Sequence, residues 1–293
     1  MIKIFALVLL VGWFCLERVL KKDFSKYYAY VFGKKIFLRY NRFLYQLSLC
    51  GMGILNYQNP YCGFLQTEEP YWLDEAYKSP INIMDTGILS RNIRLSEITA
   101  ALLYSSFNIR KKYLDFAGGY GIFTRLMRDI GFDFYWHDPY TENMVSRGFE
   151  YDGNDCNDIE LITSFESFEH FTNPIEEIEN MLAISKNIIF STSLMPTPMP
   201  QPEQWWYYGL EHGQHISFFS CKTLEYIAQK YGLNLYSDNG DIHMFTTKNI
   251  VDFDRVFKRL KKGRSRYLFL RDIKRKLDSK TMADMNYIKN LSV

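Results

Sequence analysis

The stretch LDFAGGYG, Leu114 to Gly121, sits between an apolar run beginning at Tyr113 and the segment IFTRLMRDIG, whose Phe123, Leu126, Met127 and Ile130 recur at helical spacing. It predicts a strand ending near Asp115, a glycine turn and a helix from about Ile122. Outward from it the pattern repeats. FDFYWHDPY is a strand ending at Asp138, IELITSFE a third run, and Asn173-Pro174 opens an acidic helix, proline being suited to a first helical turn. NIIFSTS (187 to 193) reads as a fourth strand and CKTLEYIAQKYG (221 to 232) as another helix. Strands alternating with helices imply an α/β fold, a doubly wound and mostly parallel sheet covered on both faces. In LNLYSDNGDIHMFTTK, two strand-like runs flank Asp238, Asn239 and Gly240, which predicts a C-terminal antiparallel hairpin strand.

The flanks differ from this middle. The chain has 293 residues and a formal net charge of +2, but Glu17 to Arg42 holds eight Lys or Arg against two acids, and Arg255 to Lys280 twelve against two. Four segments are expected: an apolar and basic extension over 1–67, a helical cap over 68–105, a ligand-binding domain over 106–250 and a basic helical tail over 251–293. Five scattered cysteines without a CxxC pair argue for a reducing compartment, cytoplasmic by default. The apolar run Ile4 to Leu16, followed by Glu17 and Arg18, is too short to span a bilayer and lacks a small-residue cleavage site. A buried helix and a membrane-dipping anchor both fit it.

Glycines after a strand let backbone amides and a helix N-terminus approach a ligand closely. A dinucleotide fingerprint would need a third glycine where Thr124 stands, which weakens a nicotinamide oxidoreductase reading. Asp115 lies ahead of Gly118, Gly119 and Gly121, and Asp138 ends the next strand. Two carboxylates would repel a diphosphate and attract a cationic sulfonium and ammonium carrying a ribose, whose hydroxyls Asp138 is placed to accept.

With LDFAGGYG, the Asp138 strand end, FESFEHFTNP, GQHISFFSCKTL and the closing hairpin, the chain resembles the class I S-adenosylmethionine-dependent methyltransferases, in the small-molecule branch with an ExxEH segment. The resemblance spans roughly Tyr113 to Lys248, and it implies a seven-stranded sheet and S-adenosyl-L-methionine as donor. It also implies a cofactor site of Asp115, Ala117, Gly118, Gly119, Gly121, Asp138 and Glu166. Ala117 stands where a glycine is usual.

In FESFEHF, Glu166, Glu169 and His170 fall at i, i+3, i+4, which on a helical turn would share one face at the mouth of the cleft. His215, in EHGQHISFF, could reach the same mouth. Two carboxylates and two imidazoles make an N/O ligand set for Mg, Mn or Zn. ExxEH with a later His looks like the metal site of small-RNA 3′-end 2′-O-methyltransferases, and ExxEH also resembles the ubiquinone-pathway O-methyltransferases. That likeness implies a metal held by Glu166, Glu169, His170 and His215 that lowers the pKa of the acceptor hydroxyl. A metal-free version uses His170 or His215 as general base, with Glu169 beside them, and in a plainer reading Glu169 and His170 only support the following turn. His137, His212 and His243 are weaker candidates.

The expected acceptor is a small molecule or glycan, a sugar hydroxyl above all, free or lipid-linked. Trp205 to Tyr208, four consecutive aromatics after a proline-rich loop, could face a sugar or an arene, or could form a hydrophobic lid; Tyr71 and Trp72 could cap the cleft from the other side. Phe253 to Leu277 reads as a basic amphipathic helix that could lie on an anionic membrane surface, making the protein peripheral; nucleic acid phosphate would attract it equally. RNA 2′-O-methylation and a non-catalytic donor-binding partner protein remain as alternative functions.

Overall fold

The computed structural model describes residues 28–31, 34–39, 62–67, 70–78, 85–153, 158–250 and 252–291. In chain order these form β1 (Tyr28–Val31), β2 (Lys34–Arg39), β3 (Leu65–Thr67), α1 (Leu73–Ala76), α2 (Ile88–Ser106), β4 (Lys112–Phe116), α3 (Ile122–Ile130), β5 (Asp133–His137) and β6 (Ile159–Ser164). There follow α4 (Pro174–Ile184), β7 (Ile188–Ser191), β8 (Ser217–Phe218), α5 (Cys221–Lys230), β9 (Asn234–Ser237), β10 (Ile242–Thr246), α6 (Phe253–Leu260), α7 (Gly263–Lys276) and α8 (Thr281–Leu291).

The main sheet is mixed, with the order β5-β4-β6-β7-β10-β9. β4 lies parallel to both β5 and β6, and β6 parallel to β7, whereas β10 runs antiparallel to β7 and to β9. Adjacent residues send side chains to opposite faces, so Tyr113, Leu161, Ile189 and Met244 join one core while Leu114, Ile162, Ile188 and Phe245 join the other. That is why the strands read as near-continuous apolar runs: both faces are covered. A second, antiparallel sheet, β1-β2-β3-β8, joins three N-terminal strands to Ser217–Phe218.

Six strands, not seven, make up the main sheet among the described residues. Outside β5 the next position is a single bridge, Trp136 to Glu150, with Trp136 N–H donating to Phe149 O and Tyr151 N–H to Trp136 O, both at 2.8 Å. The reason is local: Asp152 and Gly153 follow at once, Gly153 at φ +80°, and a chain turning there cannot extend the pairing.

The basic tail also departs from expectation. Phe253 to Leu277 is two helices broken at Lys261-Lys262, and much of its apolar stripe faces inward. Phe253, Val256, Phe257, Phe269 and Ile273 are buried in the core that α2 shares. Tyr267 and Leu268, on α7, stay exposed among the cations. Among the described residues no helix is long and apolar enough to cross a membrane, and the Ile4 to Leu16 run lies outside them.

The chain's end is fastened by one buried cation. Arg128 on α3 donates from Nε and Nη2 to both oxygens of Asp284 on α8, at 2.8 and 2.7 Å. Its Nη1 reaches Asp133 at 2.9 Å and Phe134 O at 2.7 Å, and its guanidinium lies 3.6 Å from the centre of the Phe149 ring. Removing one partner of such a pair leaves a buried charge partly uncompensated. Asp284→Ala, which takes a carboxylate from Arg128 and also from Arg125, whose Nη1 lies 2.9 Å from Asp284 Oδ2, is therefore expected to cost ~3 kcal/mol in a urea unfolding titration. A loss under ~1 kcal/mol would mean that Asp133 alone compensates Arg128.

Candidate active site

Because β5, β4 and β6 are parallel neighbours, their carboxyl ends open on one rim, where ligands of open α/β sheets collect. β5 pins the glycine turn that leaves β4. His137 O accepts from Gly118 N–H at 3.1 Å, Asp138 Oδ2 accepts from Gly119 N–H at 2.9 Å, and Trp136 Nε1–H donates to Gly119 O at 2.8 Å. A Cβ on Gly118 would lie 2.6 Å from Trp136 Cδ1, so no side chain fits without moving the indole. Gly119, at φ +53°, has nothing within 4 Å of its missing Cβ; the turn is open to a ligand on that side. Ala117 occupies the left-handed region at φ +58°, at a cost of about 1 kcal/mol that glycine would avoid.

The two aspartates have separate roles. Asp138 faces the cleft, held by Gly119 N–H and by the N–H groups of Tyr140 (2.8 Å) and Thr141 (3.0 Å). Three donors on a carboxylate with about four acceptor positions leave room for one ribose hydroxyl, where the sequence suggested two. Asp115, expected to hold the donor, does not reach the cleft: it is 2% exposed and accepts from Thr124 Oγ1 at 2.9 Å and Thr163 Oγ1 at 3.0 Å. It ties α3 to β6 behind the turn. Burial, with a smaller contribution from Asp138, outweighs those hydroxyls and raises its pKa to about 7.

FESFEHF is no helical turn. Glu166 stands at φ +51°, and only Phe168–His170 winds as a short 3₁₀ helix. Glu166 is thereby split from the other two. Its Oε1 accepts from Ser191 Oγ at 2.7 Å, its N–H donates to the same oxygen at 2.7 Å, and Oε2 lies 3.2 Å from Arg91 Nε. It is not among the groups that converge on a common point. Those are Glu169, His170 and His215, each with one ligand atom within 4.8 Å of the others'.

Both imidazoles are oriented through Nδ1. That of His215 is 2.6 Å from Tyr207 O, and that of His170 is 3.0 Å from Gln214 O and 2.9 Å from Tyr77 Oη. A backbone carbonyl only accepts, so each Nδ1 carries the hydrogen and each Nε2 keeps its lone pair. The rings lie 5.0 Å apart, centre to centre. Crowding by protein pushes His170 down to about 4 and His215 well below its ordinary value, so both are neutral near pH 7. Glu169 is 1% exposed and neither of its oxygens has a hydrogen-bond partner among the described residues. The Tyr207 hydroxyl is near enough to favour its charge slightly but bonds Thr192 Oγ1 at 3.2 Å. Burial first, then the charge of Glu166, hold Glu169 well above the usual carboxylate range.

The N-terminal segment supplies residues that the motifs did not indicate. Trp72 Nε1–H donates to Gly213 O at 2.8 Å and Gln214 Nε2 to Ala76 O at 3.0 Å, which brings Tyr77 to His170 and fastens the 213–215 turn. Only the YW pair at 71–72 hinted at this. Of the four aromatics, Tyr207 and Tyr208 are buried and Trp205 packs on Phe218, forming a lid, while Trp206 is 79% exposed and free to meet a ligand. His243 is fully buried between Ser237 Oγ and Thr192 O, a structural role. His212 accepts from Gln214 N–H and His137 is half-buried on β5; neither joins the three converging groups.

Residues 90–238, just over half of the chain, match the family described as methyltransferase domain, and the chain belongs to that family. No curated protein sequence matches it. Among solved structures it is similar to magnesium protoporphyrin IX methyltransferase of Synechocystis PCC 6803 with bound SAM, at 12% identity over 60% of this chain and 90% of that one, with a TM-score of 0.34. It is also similar to the mitomycin 7-O-methyltransferase MmcR (12%, 59% of each chain, TM-score 0.36). A third is CalO1, a methyltransferase in calicheamicin biosynthesis, in its SAH-bound form (11%, 59% and 60%, TM-score 0.39). Family membership sets aside the nicotinamide reading of the glycine turn.

The position of Asp115 gives a pH signature. Unfolded, it ionises near its ordinary 3.8; folded, it keeps its proton to about pH 7, so the folded state binds the extra proton between these values. Stability from this group falls as pH rises through that window. Asp115→Asn, which can still pair with both threonine hydroxyls, removes the dependence. The difference in urea midpoint between variant and wild type is expected to shift in the variant's favour from pH 4 to pH 7.5, and a constant difference would contradict the assignment.

Proposed function

We propose that this chain transfers the methyl group of S-adenosyl-L-methionine to a hydroxyl oxygen of a small acceptor, a sugar hydroxyl on a free or lipid-linked glycan. The observation that supports it is the group beyond β6: a buried carboxyl group without a partner among the described residues, facing two neutral imidazoles, beside a glycine turn open to a nucleoside. The acceptor oxygen attacks the methyl carbon as the carbon–sulfur bond breaks toward sulfur, leaving a neutral thioether, and the hydroxyl proton must leave. The turn from Ala117 to Gly121 and Asp138 hold the donor; Glu166 meets its amino-acid end. Residues 68–105 serve as the cap over a domain spanning 106–250.

Glu169, His170 and His215 fit a divalent ion, Mn or Zn in preference to Mg given two nitrogen ligands, because a carboxyl group without a partner among the described residues and one nitrogen of each ring lie within 4.8 Å of one another. Bound there, it would supply Lewis acidity that lowers the pKa of the acceptor hydroxyl. The alternative, His170 as a general base, is less apt: an imidazole pushed down to about 4 holds a proton weakly. Tyr77, Gln214 O and Tyr207 O fix the two rings, and the lid around Tyr207 and Tyr208 keeps water from Glu169.

The test combines binding with turnover. S-adenosylhomocysteine should raise the melting temperature, and titration calorimetry with Mn²⁺ should register binding that His170→Ala abolishes. Labelled methyl should pass from the donor to one member of a panel of sugars, glycans and RNA 3′ ends, with at least a ~10²-fold loss in His170→Ala. Turnover that survives exhaustive EDTA would remove the metal from the reading, transfer to RNA alone would replace the acceptor class, and donor binding without transfer to any pool would make the chain a non-catalytic partner. Absence of any response to S-adenosylhomocysteine would overturn the reading.

A further inference from the structure

We infer that Arg91, on the first turn of α2, is the clamp for the α-carboxylate of the donor, working with Glu166, which takes the α-ammonium. The assignment rests on the methyl-donor reading above and adds a residue to it. The sheet order sets the direction of the ligand. A nucleoside anchored by its ribose at Asp138, just beyond β5, and crossing the glycine turn beyond β4 must carry its other end to the rim beyond β6, where Glu166 stands. Two strand spacings, about 10 Å, separate these anchors. The run from ribose through C5′, sulfur and two methylenes to an α-carbon is of comparable length.

At that far end the protein presents an ion pair, Arg91 Nε to Glu166 Oε2 at 3.2 Å, with both side chains about one third exposed. A zwitterionic amino acid carries the complementary pair of charges. Arg91 is held in place yet not used up. Its Nη1 and Nη2 each donate one hydrogen to Asp85, at 3.1 and 2.7 Å, and the second hydrogen on each nitrogen has no partner among the described residues. The Nε–H is buried and lacks a properly aligned acceptor, since Glu166 lies off its axis. With the Nη1/Nη2 fork spent on Asp85, the edge formed by Nε–H and the second Nη2–H is the one that can grip a carboxylate at two points, next to Glu166.

Glu166 is prepared for its role at some cost. Its backbone is held at φ +51°, a conformation that a glutamate adopts only when its surroundings impose it, and Ser191 imposes it by bonding both the N–H and Oε1. The second oxygen is thereby turned toward Arg91 and the cleft. Phe165, packed edge-on to Phe123 at 4.9 Å, fixes the loop against the first turn of α3, which starts at the glycine turn. The spacing between the nucleoside end and the amino-acid end is thus built into the core.

The test compares three ligands by calorimetry on the full chain: S-adenosylhomocysteine, its decarboxylated analogue and 5′-methylthioadenosine, which lacks the amino-acid end. Arg91→Gln is expected to weaken S-adenosylhomocysteine at least ~10-fold and to leave both other ligands within ~2-fold of wild type. Glu166→Gln should weaken the first two and spare the third. Arg91→Lys, which keeps the charge without the fork, should fall between Gln and wild type and guards against misreading a misfolded variant. If wild type binds S-adenosylhomocysteine and Arg91→Gln leaves that affinity unchanged, or weakens all three ligands equally, the assignment is overturned while the donor reading stands. If wild type binds none of the three, both fall together.

Discussion

A buried carboxyl group without a hydrogen-bond partner among the described residues is costly even when it keeps its proton, and Glu169 is held in that state by the rest of the site. Its backbone is fixed from two sides, since Glu169 O accepts from Ile216 N–H at 2.8 Å and Ile216 O accepts from Thr67 N–H at 2.9 Å. β3 and β8 therefore hold the carboxylate through the main chain, not through its oxygens. Gln66 and Ser217 reinforce this by bonding the carbonyls of Phe171 and Thr172. Holding the main chain around a buried acid while leaving its oxygens without an aligned partner among the described residues is how a protein reserves a ligand or a proton acceptor.

The scaffold was readable from the sequence because the sheet is buried on both faces. Where strands carry apolar side chains to two cores, as Tyr113-Leu114 and Ile188-Ile189 do, their runs stand out against the amphipathic helices between them. The glycine turn was readable for a related reason: few residues fit beside Trp136 or at positive φ. What misled was equally physical. Asp115 in the sequence is an acid at a motif position, and nothing in its neighbours announces that Thr124 and Thr163, nine and 48 residues away, take both its oxygens. Helical spacing in FESFEHF held only over three residues because Ser191, from another strand, pulls Glu166 into a left-handed turn.

The electrostatics of the donor site change with this correction. Two exposed aspartates would have selected a cation by charge alone. With Asp115 buried and protonated up to about pH 7, the single open carboxylate is Asp138, and three backbone N–H groups already offset much of its charge. Selection must then rest on shape at the glycine turn and on groups further along the rim, where Arg91, Asp85 and Glu166 bring one positive and two negative charges into contact. A site with both signs suits a ligand with both signs.

That shift moves weight onto the segment ahead of the nucleoside-binding strands. Tyr77, Asp85 and Arg91 come from the cap and its entry into α2, and Tyr77 and Arg91 touch what the later motifs supply, His170 and Glu166. Tyr77 is the clearest case: burial and the charges of Glu169, Tyr140 and Asp138 keep its hydroxyl from ionising, so it stays a neutral phenol beside His170. Since His170 Nδ1–H already has a carbonyl acceptor in Gln214, the hydroxyl's own hydrogen is not needed there. The segment ahead of the strands therefore brings polar groups, Tyr77 to His170 and Arg91 to Glu166, that the parallel sheet, whose own side chains are spent on two apolar cores, does not provide.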